Sequence, residues 1–131
     1  MDGEEERRRA KRGSVFLIEH QFIVGDHIRQ KYAVLLEDFS PRRPTVWVAF
    51  TTSNTRFRDR PTAVAVEKGN MDCWDDISVI DLNNMWELGV DQVVGENSTY
   101  QGQLPREIID QMNIAIEFVD CDMGTQIRIR P

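Results

Sequence analysis

Apolar residues fall in short runs over most of the chain, separated by polar, Gly- or Pro-containing stretches. Ser14-Val15-Phe16-Leu17-Ile18 is rich in β-branched and aromatic residues and predicts a first strand. Lys31-Tyr32-Ala33-Val34-Leu35-Leu36 predicts a second, apolar enough to be buried on both faces. Thr45 to Thr52 reads as a third strand and Thr62 to Val66 as a fourth. Ile77 to Asp81 reads as a fifth, with Asn84 to Leu88 pairing as a sixth. The intervening segments carry the turn formers, among them two prolines between Asp38 and Pro44 and an arginine-rich loop from Ser53 to Pro61.

The period changes near the C-terminus. Ile108, Met112, Ala115, Ile116 and Val119 lie on one helical face, and Pro105 suits a first helical position. Leu104 offers no cap, so this helix depends on packing, and Gly124 is its expected end. Thr125 to Arg130 alternates and predicts a last edge strand, while residues 89–103 show no period and read as irregular. The pattern predicts a mainly β fold: a small, strongly bent sheet or barrel of short strands closed by a C-terminal helix. A parallel α/β sheet is excluded, since no helices separate the strands.

Composition narrows the class. A chain of 131 residues, 40% hydrophobic, fits one core, placed here at residues 13–131 behind a charged, flexible arm of residues 1–12. No apolar run reaches the roughly 20 residues of a membrane span, and the charged N-terminus is unlike a signal peptide, so a cytoplasmic protein with no membrane association is expected. Cys73 and Cys121 lack metal-ligand spacing and read as reduced thiols. No metal or cofactor is expected.

Net charge is −6 but uneven. Residues 27–60 carry seven basic and three acidic side chains, and residues 61–131 four basic and thirteen acidic. A basic segment on an acidic body suits a selective anionic ligand, although solvated arginines are the default for loops. Trp47 and Trp86 sit in apolar strands and read as core; Trp74, among acids, suggests a contact surface.

The order of these pieces resembles the PemK/MazF group of toxin endoribonucleases, in the superfamily that also holds the CcdB-like toxins. The matching stretches are Gly13 to Leu17, Lys31 to Leu36, Val48-Ala49-Phe50-Thr51-Thr52-Ser53, Ser78-Val79-Ile80-Asp81 and Gly102-Gln103-Leu104. The resemblance spans roughly residues 13–119. It implies an SH3-like barrel, usually a homodimer, that cuts single-stranded RNA without a metal and is neutralised by a small antitoxin protein. It also implies a catalytic arginine before the second strand and a threonine after the third. The threonine falls on Thr52, and the Arg-Pro pair falls on Lys31-Tyr32, a departure at both positions.

RNA cleavage through the neighbouring 2′-hydroxyl needs a base, an acid and a cation for the phosphorane. Lys31 can supply the charge, as a point rather than a fork. Thr52 and Ser53 can donate to a phosphate oxygen, and His27 has an ordinary pKa near 7. Arg29, Arg56 and Arg58 are the expected RNA-binding residues, with Arg29 able to replace the missing arginine. Each has a plain alternative: a surface histidine, a strand-ending threonine, an edge lysine. Three classes remain open: a nuclease toxin, a non-catalytic protein- or nucleic-acid-binding module such as the gyrase-poisoning branch of this fold, and a structural dimer. The last predicts that Lys31, Thr52 and His27 point to different faces.

Overall fold

The β-branched and aromatic runs pair into one curled antiparallel sheet, a six-stranded half-barrel, in the computed structural model, which describes residues 10–21, 28–74, 76–95 and 98–131. Strands β1 (Ser14–Gln21), β2 (Ile28–Leu35), β3 (Thr45–Thr52), β4 (Ala63–Val66), β5 (Ser78–Gly89) and β6 (Ser98–Gln103) lie in the order β4-β5-β3-β2-β1-β6. Helices α1 (Val90–Val93), α2 (Arg106–Ile116) and α3 (Met123–Ile129), with a 3-10 turn at Thr55–Phe57, complete the described elements. The expected mainly β, helix-closed architecture is what the chain adopts.

Both faces of the sheet are covered, which is why β2 reads as continuously apolar. On one face Val15, Val34, Ala49 and Ile80 pack against Ile108, Met112, Ala115 and Ile116 of α2, with Ile129 of α3. On the other, Phe16, Ile18, Ala33, Leu35, Val48 and Phe50 pack with Val90 and Val93 of α1. Gly13 makes the close approach possible at the start of β1. Its φ is +85°, and an added Cβ would lie 2.6 Å from Ile109 Cδ1.

Several local expectations are corrected. The predicted fifth and sixth strands are the single strand β5. Its pairing with β3 skips three residues between Thr51↔Ile80 and Ala49↔Met85, and such an irregularity bends a strand without ending it. Within the stretch expected to be irregular, Val90–Val93 form α1 and Ser98–Gln103 form the edge strand β6, which pairs with β1. The long helix stops at Ile116, well before Gly124, though Val119 is still buried beyond it. Thr125 to Arg130 is not an edge strand but part of α3. Asp122 caps that helix by accepting from Thr125 N at 2.8 Å, and Thr125 and Ile129 bury one face four residues apart. Trp74 is core rather than contact surface: it is 6% exposed, edge-on to Tyr32, with their ring centroids 5.6 Å apart. Trp47 and Trp86 are half-buried and pack against the two core clusters. Cys73 and Cys121 are free and half-buried, and burial pushes both thiols up.

Of the expected N-terminal arm, residues 1–9 lie outside the described residues, while 10–12 belong to the body. Ala10 is buried, and its carbonyl accepts from Phe39 N. The Arg12 guanidinium donates to the carbonyls of Leu36 and Ile129 and to Asn113 Oδ1, joining β2, α2 and α3. Burial lowers its pKa, with Asp38 opposing. A second fastening centres on buried Glu37, which accepts from Trp47 N at 2.8 Å, Arg43 Nη1 at 3.0 Å and Arg128 Nη2 at 2.7 Å. Arg128 of α3 also donates to Glu87 Oε2 at 2.6 Å. Among the described residues no helix is long and apolar enough to cross a membrane.

Candidate functional site

Of the site residues expected from sequence, Lys31 lies near the start of β2 and Thr52 ends β3. Antiparallel strands place these two ends side by side. β2 and β3 pair through Leu35↔Val48, Val34↔Ala49 and Ala33↔Phe50, where the ladder stops. Carried two residues further, the same register sets Lys31 across from Thr52. Alternation along each strand agrees. Lys31 shares the face of Ala33 and Leu35, Thr52 that of Val48 and Phe50, and all four of those core residues belong to one cluster. Both Lys31 and Thr52 are half-buried.

Tyr32 points the other way. Its hydroxyl donates to the Cys73 carbonyl at 3.3 Å, and its ring meets Trp74. The departure from the Arg-Pro pattern at this position therefore falls on the face opposite Lys31.

Beyond Thr52 the chain makes nested turns. The Asn54 N–H donates to Thr52 Oγ1 at 3.1 Å, and Asn54 Oδ1 accepts from Arg56 N at 3.1 Å. Asn54 thus caps a single 3-10 turn, Thr55–Phe57. Because the Thr52 oxygen already accepts from the backbone, its own O–H is directed elsewhere and can donate to a ligand. Ser53, Arg56 and Arg58 are exposed. Arg58 has an acidic neighbour, Asp59, at 4.0 Å, a contact too exposed to neutralise it. Arg60, also exposed, holds its guanidinium carbon 4.1 Å from the centroid of the Phe57 ring.

His27 lies outside the described residues. Arg29 is in β2, paired with His20, and only its backbone is described. Lys31 and Thr52 thus lie at neighbouring strand ends, and Ser53, Arg56 and Arg58 follow Thr52 in a turn that also carries Asn54, Phe57 and Arg60. Asn54 was legible in principle, because an asparagine two residues before Arg56 is a common turn cap. Among the described residues no group of three His, Cys, Asp or Glu side chains is placed to hold a metal ion.

The solved structures that resemble the chain include two mycobacterial endoribonucleases. An endoribonuclease in complex with its cognate antitoxin, from a mycobacterial species, is 21% identical with a TM-score of 0.58 over 80% of this chain and 88% of that one. A second mycobacterial endoribonuclease is 18% identical with a TM-score of 0.56, over 89% of each chain. The likeness is one of fold. No protein-family model and no curated protein matches the sequence.

Proposed function

We propose that the chain is the toxin of a type II toxin-antitoxin pair, a metal-independent endoribonuclease acting on single-stranded RNA in the cytoplasm through one barrel domain, residues 13–131. The observation that carries this reading is the antiparallel pairing of β2 with β3 up to Ala33↔Phe50, whose register, extended by two residues, matches Lys31 with Thr52, with the arginine turn directly after Thr52. The fold shared with two endoribonucleases supports it.

In this reading the 2′-oxygen of one nucleotide bonds to the adjacent phosphorus while a base takes its proton. The bond from phosphorus to the 5′-oxygen breaks, and an acid protonates the leaving oxygen. The products are a 2′,3′-cyclic phosphate and a 5′-hydroxyl. Lys31 offsets the charge that builds on the phosphorane, and the Thr52 hydroxyl donates to a non-bridging oxygen. His27 is the candidate base or acid, since imidazole as a class can exchange protons near neutral pH. Ser53, Arg29, Arg56 and Arg58 bind the RNA backbone, where planar guanidinium forks suit phosphate.

Two partners follow from the same reading. One is an antitoxin, as in the neighbour solved with its own. The other is a second copy of the chain. Among the described residues the large exposed apolar side chains are Ile114, Phe118, Met123 and Ile127, all between the end of α2 and α3. They are 60–78% exposed and together present roughly several hundred Å2, a large part of the ~800 Å2 each partner of a stable dimer buries. This patch belongs to the helices that cover the sheet face opposite Lys31 and Thr52, so a dimer formed there leaves both sites open.

The test is incubation of the purified protein with a long single-stranded RNA in EDTA, beside a Thr52→Ala variant. Discrete cuts by the parent alone support the reading. Intact RNA with a folded parent protein overturns it.

A further inference from the structure

We infer that Arg60, stacked on Phe57, forms a shelf on which an unpaired nucleobase of the bound RNA stacks. This inference rests on the RNA-cleaving reading and extends it from the phosphate backbone to a base.

The turn after β3 crosses from one side of β5 to the other, since Val79 of β5 pairs with both Thr52 of β3 and Ala65 of β4. Its geometry is fixed at several points. Asn54 caps the 3-10 turn, Arg60 N donates to the Phe57 carbonyl at 3.1 Å, and Ala63 N donates to the Arg60 carbonyl at 3.0 Å. The half-buried Phe57 ring thus supports the Arg60 guanidinium at 4.1 Å, while Arg60 itself remains exposed. A guanidinium held over an aromatic ring and otherwise exposed is a planar cation supported on one side. Unpaired bases stack on such planes, and the positive charge also favours the neighbouring phosphate. Among the described residues no aromatic ring lies against Arg56 or Arg58. They suit the backbone, and Arg60 suits a base. Buried in a duplex, the same base could not reach the shelf, which matches a preference for single strands.

The probes are two labelled 2′-O-methyl oligoadenylates, which cannot be cut by internal attack. One is complete, and one carries abasic positions. The parent protein is expected to bind the complete strand about tenfold more tightly than the abasic one. Arg60→Lys keeps the charge but loses the plane, so it should bring that ratio close to one and leave abasic binding within about twofold. Phe57→Leu should also lower the ratio, with melting temperature as the control for folding. If it unfolds the protein, the exposed Arg60→Lys variant carries the test alone. A ratio unchanged by Arg60→Lys, or equal losses on both strands, overturns the shelf. Equal binding of both strands by the parent overturns the shelf and leaves the nuclease reading standing. A parent protein that binds neither strand overturns both.

Discussion

Replacing Glu37 with alanine should weaken the fastening of α3 to the sheet. The Glu37 side chain is 6% exposed and accepts from Trp47 N, from Arg43 Nη1, and from Arg128 Nε and Nη2. Removing it leaves the Trp47 N–H without its acceptor and strips Arg128 of one of its two carboxylates. Breaking a buried ion pair typically costs 3–5 kcal/mol. Arg128 keeps Glu87 and is 22% exposed, so the lower end applies, about 3 kcal/mol. With a urea slope of about 1.5 kcal/mol/M, the unfolding midpoint should fall by about 2 M with the slope unchanged. Adding Arg128→Met should recover about 1 kcal/mol or more, because the stranded cation goes with it. A midpoint shift below about 0.3 M, or a double variant whose loss equals the sum of the singles, would refute the reasoning.

Other outcomes are expected. Asn54→Ala removes the cap of the arginine turn and should cost about 1 kcal/mol of stability, while Asn54→Ser, which can still cap, should restore most of it in the same urea titration. Phe118→Glu combined with Ile127→Glu should yield a monomer by sedimentation with an unchanged melting temperature; a persistent dimer would place the interface elsewhere. Acid should destabilise the fold in a defined way. The Glu87 carboxyl is held below its ordinary value by hydrogen bonds from Arg128 and then Thr45, and that of Asp122 by the Thr125 backbone N–H. The unfolded chain therefore binds more protons, so this stability is present above the ordinary carboxylate values and is lost as pH falls through the depressed ones. Melting temperature should hold down to about pH 5 and decline below about pH 4, with the Glu87 share reduced in Arg128→Met to what the Thr45 hydrogen bond supplies.

The core was legible because its signals are local. Continuous burial of Ala33 to Leu36 and the stripe Ile108–Met112–Ala115–Ile116 each follow from one period. The C-terminus misled because Thr125, Ile127 and Ile129 satisfy alternation, while Thr125 and Ile129 equally satisfy a helical step. The Asp122 cap decides between the two, and Ile127 is left 69% exposed. β5 reads as two strands because its irregularity sits at the polar Asp81 and Asn83, and only the pairing partner reveals one strand. Trp74 misled because its acidic neighbours say nothing of Tyr32, which is remote in sequence. At the candidate site, Lys31 and Thr52 came from the resemblance, but their common face required the register of β2 on β3. Asn54 and the Arg60–Phe57 contact depend on turn geometry that no charge count can supply.

The most direct test of Lys31 and Thr52 as one unit is a double-variant cycle on RNA cleavage in EDTA, using Lys31→Met, Thr52→Ala and the pair. Groups that act on the same phosphorane should be strongly non-additive, so the pair should cleave no more than a few-fold slower than the slower single variant. Independent losses that multiply, or a parent protein that leaves the RNA intact, would contradict the account.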